Sequence, residues 1–258
     1  MSEVFTFRRL VLLLRNDIIG RYRTLLLHSA VLATTILVGS LLRNGFNGGP
    51  EPEGDFYFYA FPALLFGWGT IVASGAFREL HDKSKNEAYL LLPASDVEKT
   101  IARLLPVLGF FVYLLVYLTV VSWVVETVSL LLFGSRDRLF NPFDPRVSLF
   151  IGHYVVAQSV FFLGAAWFRK AHFWKTSLTI TATLLGFAAL AALLSWALFD
   201  PYLGGFNEPE MYQIYLANIP LFDGAALAAK AGYFLVLSPL CWFVAWLRVK
   251  ETQVSHGV

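Results

Sequence analysis

The 258-residue chain holds a single cysteine, Cys241, inside an apolar stretch. One thiol makes no disulfide framework and no cysteine-based metal cage. Charge is scarce too: Asp, Glu, Lys and Arg form 15% of the residues, where a soluble domain carries about 25%. No G-x-x-x-x-G-K-S/T phosphate loop occurs, so the chain is not itself a P-loop ATPase, and any ATP-driven transport would need the nucleotide site of another polypeptide. The five histidines, His28, His81, His153, His172 and His256, show neither H-x-x-x-H nor H-E-x-x-H spacing, and G-x-S-x-G is missing. No catalytic residue, metal ligand, cofactor or nucleic-acid partner is therefore expected in this chain. The first 23 residues lack an uninterrupted apolar run before a small-x-small site, so they do not read as a cleavable leader.

What the chain has is apolar surface. Hydrophobic residues reach 57%, with 24 Phe, 11 Tyr and 7 Trp, which excludes a disordered chain. Charge-free blocks run over 24–42, 56–77, 104–125, 147–168, 176–199 and 231–247. A bilayer core of about 30 Å needs roughly 20 helical residues, and every block fits. The runs lack the period-two alternation of barrel strands. The expected fold is an all-α polytopic membrane protein with spans at 24–42, 56–77, 100–128, 147–168, 174–199 and 226–247. Pro62, Pro106 and Pro239 read as kinks tolerated inside membrane helices.

Basic residues orient these spans. With the N-terminus in the cytoplasm, fifteen of the 20 Lys and Arg fall on that side, which sets both termini inside. Arg136, Arg138 and Arg146 in the third loop are the exception. The inner face, at about +7, suits anionic lipid headgroups.

Residues 4–23 place Val4, Phe7, Val11, Leu14, Ile18 and Tyr22 at helical spacing, with Arg8, Arg15 and Arg21 on the remaining surface. An amphipathic helix lying in the interface before the first span is expected. It serves either as a plain anchor or as a lever for a cytoplasmic partner. The loop over 78–94 pairs Glu79 with Lys83 and Asp82 with Lys85 at helical spacing, so a short solvated helix ending at Pro93 is expected. Ser95 and Glu98 then form a capping box that starts the third long helix. The loop is either a connector or an element that docks in a groove on a soluble partner.

The stretch Phe77-Arg-Glu-Leu-His-Asp-Lys-Ser-Lys, continuing to Tyr89-Leu-Leu-Leu-Pro-Ala-Ser-Asp-Val-Glu-Lys99, resembles the membrane subunits of ABC-2-type ABC transporters. Their loop reads roughly F-(R/K)-E-L…K…(Y/F)-L-x-L-P-A-S-x-x-E-K. The close match covers about 23 residues, and the hydropathy plan covers the whole chain. The resemblance implies a coupling helix over 78–90, with Arg78, Glu79, His81, Asp82, Lys83, Lys85, Asn86 and Glu87 contacting an ATP-binding subunit. It also implies ATP and Mg on that subunit, a second permease copy, identical or not, and a bacterial or archaeal cytoplasmic membrane. A non-transporting assembly or sensory subunit, or an intramembrane lipid-modifying enzyme, are the competing readings.

Glu126 and His153 are the ionisable residues expected deepest in the membrane. Each lies roughly 10 Å from the outer ends of neighbouring antiparallel helices, at 1.5 Å per residue, and pairing would lower the cost of an isolated charge. Such a pair is either structural or part of an outward gate. Thr176, Ser177, Thr179, Thr181 and Thr183 open the fifth span, as a packing face or a polar lining. The aromatic-rich loop over 200–225 is an interfacial segment, and the resemblance implies a re-entrant hairpin there.

Overall fold

The computed structural model describes residues 5–46, 55–82, 94–134, 137–203 and 220–255, and among these no strand occurs. The helices are α1 Phe7–Phe46, α2 Phe56–Ser74, α3 Arg78–His81, α4 Asp96–Phe133, α5 Pro145–Trp167 and α6 His172–Leu203. Two more, α7 Pro220–Ala231 and α8 Leu237–Ser255, are joined by a π-helical turn over Gly232–Val236. Six segments are long and apolar enough to cross a bilayer: Leu26–Phe46, Phe56–His81, Asp96–Phe133, Pro145–Trp167, His172–Ala197 and Leu227–Thr252. The chain is thus an all-helical protein with the helices of a multi-pass membrane protein.

Local chemistry sets the boundaries. The Ser95 hydroxyl accepts the Glu98 N–H at 3.2 Å and Glu98 Oε2 accepts the Ser95 N–H at 2.8 Å, so the capping box forms and α4 starts at Asp96. It ends at Gly134, whose φ of 72° suits a residue without Cβ. Pro145 opens α5 behind the N-cap Asp144. Pro62 and Pro106 lie within unbroken helices. Pro239 follows the π-turn, where the Leu237 N–H donates to the Gly232 carbonyl. The wider turn accommodates the donor that Pro239 lacks.

The amino-terminal segment differs from expectation. Residues 7–23 do not form a separate interface helix but continue into the first span as one helix of 40 residues. That is about 60 Å of helix, roughly twice the bilayer core. Around residues 18–25 no proline and no turn chemistry interrupts the helix, and Gly20 alone costs only about 1 kcal/mol. Phe7, Val11 and Tyr22 of the expected apolar stripe are exposed, while Leu10 is the residue buried against the protein.

α5 sits at the centre, packing on α2, α8 and α6, while α1 packs chiefly on α4. One apolar cluster gathers Phe77, Leu80, Phe162, Ala165 and Val249; a second gathers Ile36, Phe61, Leu65, Leu114, Leu118 and Tyr154. Two glycines permit the closest approaches. A Cβ on Gly69 would stand 2.4 Å from the Tyr154 ring, and one on Gly164 would stand 2.0 Å from Thr176 Oγ1. α6 is held only near its start: Thr176 is buried, yet every residue from 181 to 194 is exposed.

Candidate functional site

Polar side chains gather at two ends of the bundle, and α1 and α4 join them. The two helices run parallel and are linked at four levels. The Thr6 N–H donates to Glu98 Oε1 at 2.5 Å, and Arg103 donates to Asp17 at 2.8 Å. Midway, the Ser29 and Tyr113 hydroxyls lie 2.6 Å apart, and the Tyr117 hydroxyl donates to the Ser29 carbonyl. Beyond the last turn of α4, Arg43 donates to Asp137 at 3.2 Å. At each level the partner lies 84 to 94 positions later in the chain. The two helices therefore run side by side in the same direction along their length.

At the end where α3 lies, Arg103 of α4 is the hub. One arm of its guanidinium holds Asp17 of α1, and the other makes a short ion pair with Glu79 of α3. The Arg103 side chain is only 13% exposed, which strengthens both bonds relative to a solvated pair. α3 occupies its place because Phe77 and Leu80, both buried, enter the first cluster, with the Phe77 and Phe162 ring centroids 4.8 Å apart. His81 Nε2 lies 3.0 Å from the Ala165 carbonyl, and its ring stacks on His172 at 5.2 Å. The Asp82 N–H donates to the Glu79 carbonyl, and Arg78 is exposed. Lys83, Lys85, Asn86 and Glu87 lie outside the described residues. α3 is therefore a docked turn of helix continuing the second span, and the rest of the expected solvated helix falls in residues 83–93, outside the described residues. Arg8 and Arg15 are exposed on α1, and the Arg21 side chain is outside the described residues.

At the opposite end, Glu126 is 1% exposed. Its Oε1 accepts the Tyr57 hydroxyl at 2.6 Å, and its Oε2 accepts the Asp137 N–H at 2.6 Å. Asp137, itself buried, holds Arg43. Glu126 and His153 do not pair. His153 Nδ1 instead meets the Tyr233 hydroxyl at 3.1 Å, and its ring packs beside Phe234. α4 turns Glu126 toward Tyr57 of α2, while α5 turns His153 toward Tyr233 of the π-turn. Counting residues from a helix end does not supply azimuth.

Arg146 of the third loop is compensated locally. Arg146 bonds Asp144 at 2.9 Å, lies 3.6 Å from Asp55 and stands 3.8 Å over the Phe58 ring. The Arg146 guanidinium and backbone N–H hold the Asp144 carboxyl below its ordinary range. Thr176 packs against Gly164, whereas Thr179 returns its hydroxyl to the Lys175 carbonyl. Residues 204–219, the core of the expected re-entrant loop, lie outside the described residues. Among the described residues no cluster of three His, Cys, Asp or Glu side chains is placed to hold a metal.

Sequence reading singled out Glu79 and Glu126 but missed their partners Arg103 and Tyr57, and Asp17, the second carboxylate on Arg103. The signal available was weak: Asp17 is the lone acid in the Arg-rich leading part of α1, and Arg103 lies one turn past Lys99 at the start of α4. No known family model, curated protein or solved structure matches the chain.

Proposed function

We propose that the chain is the membrane-spanning permease subunit of an ATP-driven exporter of the ABC-2 type. A separate subunit binds ATP and Mg, and a second permease copy completes the complex. The membrane is the cytoplasmic membrane of a bacterium or archaeon. The N-terminus, the 78–94 loop and the C-terminus face the cytoplasm, a reading supported by the bias of basic residues toward those segments.

The observation that carries this reading is the Arg103 clamp. It ties the helix leading into the 78–94 loop to the starts of both α1 and α4. A push on α3 from an ATP-binding partner would thus move three helices together. The α1–α4 links extend that motion to the Glu126 end, about 35 Å further along α4. A loop that only connected two spans would not need such a junction. The resemblance of the loop to ABC-2 permeases supports the same assignment.

Photo-crosslinking in native membranes tests the docking claim. A crosslinker placed at position 83 or 85 should capture a subunit containing a P-loop, and Lys83→Glu with Lys85→Glu should abolish its retention. A captured partner without a P-loop would instead favour a recruiting subunit that transports nothing.

A further inference from the structure

A cavity of about 510 Å³ opens where the end of α2, α3 and the α5–α6 turn meet. Arg78, Arg169 and Lys170 line it, and among the described residues Asp82 is the only acidic side chain in the lining. Among the described residues none of the three cations is in an ion pair; Asp82 does have partners. Cations cost least where they meet solvent or a carboxylate, so three gathered around one concavity create a positive potential there. The first turn of α6 adds to it. His172, Phe173 and Trp174 open a helix of 32 residues and border the cavity, so the positive end of the helix dipole lies at its wall.

The backbone of this wall is strained. Ala171 has φ 54°, and it is the one non-glycine residue of positive φ among the described residues. A left-handed alanine costs about 1 kcal/mol or more. The strain turns the chain sharply between Arg169–Lys170 and the start of α6, keeping both cations on the cavity. His81, committed to the Ala165 carbonyl, and His172 stacked on it close the floor.

The neighbouring surface says what fills the cavity. α6 leaves the cavity with Trp174 at 74% and Leu178 at 70% exposure, one helical turn apart, and it stays uncovered for several turns beyond. α6 is apolar enough to cross a bilayer, so this face suits acyl chains. Trp174, exposed and in the lining, suits headgroup depth. Positive charge at one end and an apolar strip at the other match a single amphiphile.

We propose that this cavity binds the phosphate-bearing headgroup of an anionic phospholipid, whose acyl chains lie along α6. Arg78, Arg169 and Lys170 contact the phosphate, and the first-turn amides of α6 add a directional component. The site is independent of the permease reading, because it needs no nucleotide and no second protein.

Native mass spectrometry of the full chain released from nanodiscs of phosphatidylglycerol or of phosphatidylcholine tests it. Wild-type protein should retain one phosphatidylglycerol and no phosphatidylcholine. At a contribution of roughly 1 kcal/mol per cation near an anionic surface, Arg169→Ala with Lys170→Ala should weaken retention about 30-fold. Arg169→Lys with Lys170→Arg should keep it, which separates loss of charge from misfolding. Arg8→Ala with Arg15→Ala, which removes equal charge from exposed positions on α1, should change it less than twofold. Equal loss in both double alanine variants would reduce the effect to general surface charge and overturn the proposal. Retention unchanged in Arg169→Ala with Lys170→Ala would overturn it as well. Displacement of the lipid by millimolar inorganic phosphate would assign the cavity to the free anion instead.

Discussion

The Arg103 guanidinium stands 2.8 Å from the Asp17 carboxylate, although 86 positions separate the two residues. The same guanidinium reaches Glu79. Replacing it with Ala leaves two partly buried carboxylates side by side without their shared cation. Arg103→Ala should therefore destabilise the protein by about 1–3 kcal/mol, read as a lowered Tm in detergent. Arg103→Lys, a point charge without a fork, should recover only part of the loss.

Glu126 makes a second case. Its two oxygens each receive a donor, so the carboxylate is structurally engaged and not poised alone. Tyr57→Phe should cost about 1–3 kcal/mol by removing a buried donor. Glu126→Gln turns one acceptor oxygen into an NH₂ group that faces a donor, and it should destabilise at least as much. The measurement is a double-mutant cycle on Tm, where a coupling below about 0.5 kcal/mol would contradict the geometry.

Close packing at Gly164 gives a steric prediction. An added methyl meets Thr176 at 2.0 Å from Oγ1 and 2.9 Å from Cγ2. Gly164→Ala should cost about 1–3 kcal/mol by overpacking. Thr176→Ala in the same chain should restore part of it, because it removes Oγ1 and Cγ2 but leaves Cβ.

The Asp144–Arg146 pair predicts a pH effect of fixed sign. The Asp144 carboxyl is held below its unfolded value of about 3.9. Its contribution is therefore present above that value and is lost as the pH falls through the lower folded one. Acid unfolding followed by Tm should show a limb below pH 4 that shrinks in Asp144→Asn, and the effect should be small because the pair is solvated.

Much of the architecture was legible in the sequence because lipid imposes a simple rule: roughly 20 uncharged residues per crossing. The capping box of Ser95 and Glu98 was legible because it depends on four adjacent residues. The Arg103–Asp17 and Tyr57–Glu126 bonds were not, since each requires knowing which helices are neighbours and which way each face turns. The Glu126–His153 pairing failed for that reason. The unbroken α1 was hidden by its change of polarity near residue 23, which resembles a boundary but contains nothing that stops a helix. The exposure of α6 follows from packing alone and leaves no local mark.

ATP hydrolysis by the protein purified from native membranes through a C-terminal tag tests the central claim most directly. The preparation should contain a P-loop subunit in fixed stoichiometry and show vanadate-sensitive hydrolysis, with transport lost in Arg103→Ala while hydrolysis persists. A folded, lipid-bearing preparation that retains no nucleotide-hydrolysing subunit would contradict it.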